Sequence, residues 1–143
     1  KAWCTEQAIE ITSLGIQVHG GMGYIEETGA AQYLRDARIT SIYEGTTGIQ
    51  AIDLLGRKII RDEGAEARRL LAEIQACATD LSSSSSIQLQ QIATDLQKAV
   101  QSLSKALDWV LHEHATNPQA TFAGAYPLLQ CFGFVCGGFE GFR

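Results

Sequence analysis

The chain has little positive charge for its 143 residues, with 11 lysines and arginines against 16 acidic residues and a net charge of −5. Dividing it at Gly64 leaves 6 basic and 9 acidic residues before that position, and 5 and 7 from it onward. Nucleic acids and anionic membranes attract clustered lysine and arginine. We therefore expect neither nucleic acid nor a membrane as a partner.

Metal and redox motifs are also missing. The four cysteines, at positions 4, 77, 131 and 136, form no Cys-x-x-Cys pair, and the three histidines do not cluster with them. Scattered cysteines in a chain of this size favour buried thiols in a reducing compartment, so we expect a cytoplasmic protein without a metal. No apolar run is long enough to span a bilayer. The chain begins with Lys1 and not with Met, and we expect a fragment of a larger protein.

No stretch alternates apolar and polar residues in the manner of a half-buried strand. Apolar residues instead recur at spacings of three or four, most regularly between Leu89 and Leu111. The predicted fold class is all-α, a bundle of five to six helices. The first helix is expected to be mostly buried, and the last to bend at Pro127. These helices are predicted over residues 2–18, 28–38, 46–62, 65–81, 87–114 and 119–136.

The segments between the helices have distinct compositions. HGGMGY, residues 19–24, contains three glycines, which disfavour regular helix because glycine loses much backbone entropy on folding. Residues 39–44 are rich in β-branched side chains and are expected to be extended. Residues 82–86 are a serine run, typical of a loop. Gly64 is a candidate to end the preceding helix.

The glycine loop has two interpretations. It can simply terminate a helix, which is the more common role of paired glycines. It can also expose backbone amides to a phosphate or pyrophosphate group. No Gly-Lys-Ser/Thr follows it, so it is not a Walker loop, and no strand precedes it, so it is not a Rossmann fingerprint.

Glu44 lies in SIYEGTTGIQ, residues 41–50, and also has two interpretations. An acid at a helix start is stabilised by the helix dipole. A capping box, however, places the acid after the Ser/Thr cap, whereas Glu44 precedes the candidate caps Thr46 and Thr47. Ile42 and Tyr43 are expected to form an apolar wall, which would favour Glu44 as a general base.

The run QVHGGMGYIEETGAAQYLRDARITSIYEGTTGIQ, residues 17–50, resembles the carboxy-terminal helical domain of the acyl-CoA dehydrogenases. Its glycine loop, Arg-Asp pair and Tyr-Glu-Gly-Thr stretch occur in the order and spacing of that family. The resemblance covers residues 1–63. The remainder, residues 64–143, resembles a helical region appended in the branch that includes methylmercaptopropionyl-CoA dehydrogenases.

This resemblance implies an FAD-dependent enzyme that acts on an acyl-CoA thioester. Glu44 is implied to remove the proton on the carbon α to the thioester while a hydride passes from the β carbon to FAD. Gly45 is implied to lie against the substrate. An electron-transferring flavoprotein is the implied acceptor, and the implied assembly is a homodimer or homotetramer.

Cofactor contacts are implied at both ends of the matched run. Gln17, Gly20 and Gly21 are implied to meet the adenosine-diphosphate part of an FAD held largely by a neighbouring subunit, and Thr46 is implied to contact FAD as well. Gly48 stands where relatives often have glutamine, and His19 replaces a common aromatic residue. We expect the fragment alone to be inactive. A non-catalytic helical binding or assembly module is the alternative that the residues leave open.

Overall fold

The computed structural model describes residues 1–141. All regular elements in this range are helical, which confirms the all-α class. No helix within it is long and apolar enough to cross a membrane. The described part of the chain contains eight α-helices, of which α2 and α7 are short: α1 Ala2–His19, α2 Gly21–Tyr24, α3 Ala30–Thr40, α4 Thr47–Asp53, α5 Ala65–Ser82, α6 Ile87–His114, α7 Pro118–Ala123 and α8 Ala125–Glu140.

The helix predicted over residues 46–62 changes its winding along its length. After α4 the backbone forms a π-helical segment, Leu54–Ile59, and then a 3₁₀ turn, Ile60–Asp62. Glu63 ends this turn in the left-handed region with φ of 54°, and Gly64 follows with φ of 77°. Gly64 therefore lies at the predicted helix end, although it also precedes the first residue of α5.

Two compact units make up the chain, Lys1–Ala51 and a second that begins at Ile52. In the first unit α1 packs against α2 and α3. Only Ala2 of α1 is buried, while Ile11, Leu14 and Val18 are exposed, so the prediction of a mostly buried first helix is wrong within this unit. The short partners α2 and α3 cover one side of α1 and leave its other faces open.

In the second unit the leucine-rich stripe of α6 packs against α5, α7 and α8, as the spacing predicts. Leu103 and Leu107 are fully buried. Thr121 is buried too, with its hydroxyl donated to the Pro118 carbonyl at 2.7 Å and lying 3.3 Å from Nδ1 of His114. The other buried α6 residues are Ala93, Leu96, Val100 and Val110.

Three local predictions are wrong. The segment after Gly20 forms one helical turn, α2, because Gly20 alone absorbs the break with φ of 61°. Residues 39–44 are not extended: Ile39 and Thr40 complete α3, and turns follow. The last helical region breaks at Gly124 and does not bend at Pro127, since proline is tolerated in the first turn of α8 where its missing amide has no helical partner.

Candidate active site

The turn that carries Glu44 begins where α3 ends. The amides of Ile42 and Tyr43 both donate to the Ile39 carbonyl, at 3.0 and 3.1 Å, so the chain curls back instead of extending. Glu44 then has φ of 54° and Gly45 has φ of 88°. Left-handed backbone of this kind costs a non-glycine residue about 1–2 kcal/mol. The backbone conformation at position 44 is therefore maintained by the surrounding contacts and not by local preference.

Three consecutive carbonyl oxygens of this turn each accept a hydrogen bond. The Gln50 side-chain amide donates to Glu44 at 3.0 Å, and Lys1 Nζ donates to Gly45 at 2.7 Å. The Gln50 backbone amide donates to Thr46 at 3.0 Å, as the first helical bond of α4. Lys1 Nζ also lies 5.8 Å from the centre of the Tyr43 ring. The turn is thus fixed at every residue from 44 to 46.

The carboxylate of Glu44 is exposed. Ile42 and Tyr43, which were expected to form an apolar wall beside it, are themselves 47% and 51% exposed. The described residues of the first unit therefore do not close the expected wall: each of these side chains is about half exposed, and Lys1 Nζ lies over the Tyr43 ring. Glu44 lies on an open surface, directly after Ile42 and Tyr43 in the chain.

Gly45 needs to be glycine for two reasons. Its φ is unfavourable for any side chain, and a Cβ at this position would lie 2.9 Å from Gln50 Nε2 and 3.4 Å from Ile49 Cγ2. Any side chain here would push Gln50 away from the Glu44 carbonyl. Glycine at position 45 therefore preserves the hydrogen bond from the Gln50 side chain to the Glu44 carbonyl. It also keeps the surface of the turn free of a side chain.

The glycine loop joins α1 to α2. The Gly20 amide donates to the Gln17 carbonyl at 3.1 Å, and the Gly23 amide to the Gly20 carbonyl at 2.9 Å. A Cβ added at Gly20 or Gly21 would meet no described atom within 4 Å, whereas one at Gly23 would overlap the Ile16 carbonyl. Gly23 is therefore required for packing, and the backbone at 20 and 21 borders open space.

These two groups lie at opposite ends of α1 within the first unit. Lys1 and Glu6, at its start, contact the Glu44 turn and Thr47, while Gln17 and Gly20 lie at its end. Eighteen helical residues span about 27 Å. The structure therefore brings Glu44, Gly45 and Thr46 together, and separates them from Gln17, Gly20 and Gly21.

Sequence reasoning missed Lys1, Glu6 and Gln50, which hold this turn. The Thr47 hydroxyl donates to the Glu6 carboxylate across 41 positions, and Lys1 reaches Gly45 across 44. No local pattern announces contacts at such separations. The sequence predicts Thr46 or Thr47 as the cap; Thr47 is the first residue of α4, and Thr46 precedes the helix. Among residues 1–141, no three His, Cys, Asp or Glu side chains are grouped to hold a metal ion.

Two family models together match most of the chain. Residues 1–60 match the acyl-CoA dehydrogenase, C-terminal domain model, and residues 70–140 match the acetyl-CoA dehydrogenase C-terminal like model. The first match contains every candidate site residue. The second covers α5 to α8 almost completely.

Curated relatives agree with these matches. The 3-methylmercaptopropionyl-CoA dehydrogenase of Ruegeria pomeroyi is 48% identical over 140 residues, which are 98% of this chain and 24% of that protein. The broad-specificity linear acyl-CoA dehydrogenase of Mycobacterium tuberculosis is 44% identical over 50% of this chain and 12% of that protein. The mitochondrial short-chain specific acyl-CoA dehydrogenase of Rattus norvegicus is 50% identical over 39% of this chain and 14% of that protein. The chain thus spans about a quarter, or less, of the length of these relatives, and it belongs to the acyl-CoA dehydrogenase family as a carboxy-terminal helical region.

Proposed function

We propose that this chain is the carboxy-terminal helical part of an FAD-dependent acyl-CoA dehydrogenase, in which Glu44 is the base that removes the α-proton. The observation that carries the proposal is the left-handed turn at Glu44. A non-glycine residue in this conformation is uncommon, and such strain concentrates at functional sites. Here three fixed carbonyls maintain the strain while the carboxylate remains exposed.

The chemistry needs a base of this kind. A proton α to a thioester is weakly acidic, so a carboxylate must lie within hydrogen-bond reach of it at the moment of transfer. The fixed turn supplies that alignment, because it leaves only the Glu44 side chain to adjust. Gly45 has no side chain and allows the thioester of an acyl-CoA to lie against the backbone. Bound FAD supplies the acceptor for the hydride that leaves the β carbon.

The residues assigned to FAD suit that role. Open space beside Gly20 and Gly21 allows a diphosphate to approach the backbone, which a Cβ would obstruct. The Gln17 and Thr46 side chains are exposed and make no hydrogen bond within residues 1–141, so their polar groups are available. The distance between the two groups along α1 supports separate contacts, at the adenosine-diphosphate part for Gln17 and the glycines and elsewhere on FAD for Thr46.

The first unit also suits burial inside a larger assembly. It exposes Val18, Tyr24 and Tyr33 at 86%, 80% and 71%, within a broader set of exposed apolar side chains. Apolar surface on this scale marks an interaction site. We assign it to the remainder of the enzyme and to a neighbouring subunit of a homodimer or homotetramer. The four free thiols are compatible with the cytoplasm, where an electron-transferring flavoprotein would reoxidise the flavin.

The test is flavin reduction in the complete enzyme. Glu44→Gln keeps the size of the side chain but cannot accept a proton at neutral pH. We expect FAD to stay bound while bleaching of the flavin by an acyl-CoA in a stopped-flow instrument slows by about 10²–10⁴-fold. Glu63→Gln is a matched control, because Glu63 is exposed and has the same φ of 54°.

The control separates catalysis from backbone strain. Glu63→Gln should leave the bleaching rate unchanged. A nearly wild-type rate for Glu44→Gln would remove Glu44 from the mechanism. A complete protein that purifies without flavin would instead favour the alternative of a helical binding or assembly module, which the exposed apolar surface of the first unit also suits.

A further inference from the structure

We propose that Gln50 is a positioning residue for Glu44, holding the turn in the geometry that proton removal requires; this inference rests on the proposed function. Gln50 is half-buried in the first turn of α4 and contacts the Glu44 turn with both of its nitrogen donors. Its side-chain amide meets the Glu44 carbonyl, and its backbone amide meets the Thr46 carbonyl. One residue therefore ties the strained turn to the helix that follows.

The hydrogen bond from the Gln50 side chain is the one that determines the orientation of Glu44. A carbonyl held at 3.0 Å by Nε2 fixes the peptide plane between Glu44 and Gly45, and with it the direction in which the Glu44 side chain leaves the backbone. Without that donor the left-handed conformation loses a stabilising contact. Ordinary right-handed or extended conformations, favoured at any non-glycine residue, then compete. The Glu44 carboxylate would then be displaced from its position for proton removal, although the carboxyl group itself is unaltered.

The residues around Gln50 support the hydrogen bond from its side chain to the Glu44 carbonyl. Gly45 admits the Gln50 amide, since a Cβ there would lie 2.9 Å from Nε2. Lys1 donates to the neighbouring Gly45 carbonyl, so Lys1 and Gln50 hold successive peptide groups. Glu6 accepts the Thr47 hydroxyl and anchors the start of the helix that carries Gln50. We expect these other contacts to keep the protein folded when the Gln50 amide is removed, so that the effect on the rate can be measured separately from unfolding.

The experiment uses the complete enzyme with Gln50→Met, which keeps the length of the side chain and removes the amide. We expect the rate constant of flavin bleaching at saturating acyl-CoA to fall by about 10- to 100-fold, the scale of a small misplacement of a reacting group. FAD content, the dissociation constant of the acyl-CoA and the thermal midpoint should stay near wild-type values. Gln7→Met is the matched control, because Gln7 is half-buried on α1 and makes no hydrogen bond through its side chain within residues 1–141.

A double variant identifies the route of the effect. If Gln50 acts through Glu44, Gln50→Met should not further slow the residual reaction of Glu44→Gln. A wild-type rate for Gln50→Met beside a slow Glu44→Gln would overturn the positioning role and leave the proposed base intact. A fast Glu44→Gln would instead overturn the proposed base itself, and the positioning role with it.

A further variant distinguishes a positioning role of Gln50 from a role in folding. Gln50→Asn keeps the amide but is one methylene too short to reach the Glu44 carbonyl, and it should slow bleaching as Gln50→Met does. If both variants lose FAD or unfold at lower temperature than Gln7→Met, Gln50 is a folding residue and the positioning role is overturned.

Discussion

The hydroxyl of Thr47 donates a hydrogen bond to the carboxylate of Glu6, joining the first turn of α4 to α1. Both residues are half-buried. The contact anchors the start of α4 next to the candidate base. In the first unit as a whole, no apolar side chain larger than that of alanine is buried. Polar contacts therefore contribute more to the order of this region than they do in the leucine-rich second unit.

Thr47→Val should loosen this contact while keeping the shape of the side chain. The expected loss in the free energy of unfolding is about 1 kcal/mol, the usual net value of one hydrogen bond. A double-mutant cycle with Glu6→Ala, measured by chemical denaturation, isolates the pair. A coupling energy close to zero would mean that the two side chains do not interact in solution.

Leu103→Ala should be far more costly. Leu103 is 2% exposed in the middle of α6, so truncation removes buried methyl groups and leaves a cavity. We expect a loss of about 2–5 kcal/mol in the free energy of unfolding. Ile87→Ala, in the same helix but at a position 82% exposed, should cost well under about 1 kcal/mol. Equal effects of the two substitutions would contradict the assignment of the α6 stripe to the core.

Gly64→Ala should destabilise the junction before α5. Gly64 has φ of 77°, and a Cβ there would lie 2.9 Å from Leu111 Cδ1. The backbone strain alone should lower the free energy of unfolding by about 1–2 kcal/mol.

Gly138→Ala is the opposite case, because the φ of Gly138 is ordinary for a helix and a Cβ there would meet no described atom within 4 Å. It should stabilise α8 by about 0.5–1 kcal/mol, and denaturation midpoints compare the two directly.

The second unit was the more predictable part of the fold because its signals are local. The spacing from Leu89 to Leu111 specifies a helix with one apolar face, and α6 follows it from Ile87 to His114. The serine run predicts the loop between α5 and α6 for an equally local reason. Both features depend on residues a few positions apart, and long-range contacts reinforce them.

The geometry around the candidate site residues could not be predicted from the sequence. The β-branched residues at 39–42 favour an extended chain only where a sheet can receive them, and here α3 and a turn absorb them. The open surface around Glu44 was not predicted either, because a sequence does not indicate which partner covers an apolar side chain. Lys1 and Gln50 act through backbone carbonyls, which every residue has, and so leave no pattern in the sequence.

Alkaline pH should weaken the folded state through Cys136. Burial raises the pKa of the Cys136 thiol above its ordinary value, and the Glu140 carboxylate raises that pKa further. The folded state therefore favours the protonated thiol. Its stabilising contribution is complete below the unfolded pKa, about 8.5, and is lost as the pH rises through the higher folded pKa.

The measurement is the denaturation midpoint as a function of pH. The wild-type midpoint should fall more steeply above pH 8.5 or so than that of Cys136→Ala, in which the titrating group is absent. Cys131→Ala controls for the general loss of a thiol, because Cys131 is an exposed residue of the same helix. Parallel curves for wild type and Cys136→Ala would contradict a raised pKa.

Expressed alone, the 143-residue chain should fold into helices but retain no stoichiometric FAD. Its second unit has a continuous apolar core formed by α5, α6 and α8, which supports independent folding. The proposed FAD contacts in the first unit are one exposed glutamine, two glycines and one exposed threonine, and these offer no pocket walls to enclose a flavin ring. Ligand sites that bind tightly bury most of the ligand surface, so under the proposed function we expect the remaining walls to come from the rest of the enzyme and from a neighbouring subunit. Circular dichroism should show a helical spectrum, and titration with FAD should leave its absorbance and fluorescence unchanged. Restoring the remainder of the enzyme should restore FAD binding, whereas tight binding of one FAD by the isolated chain would mean that the cofactor site is complete within these residues.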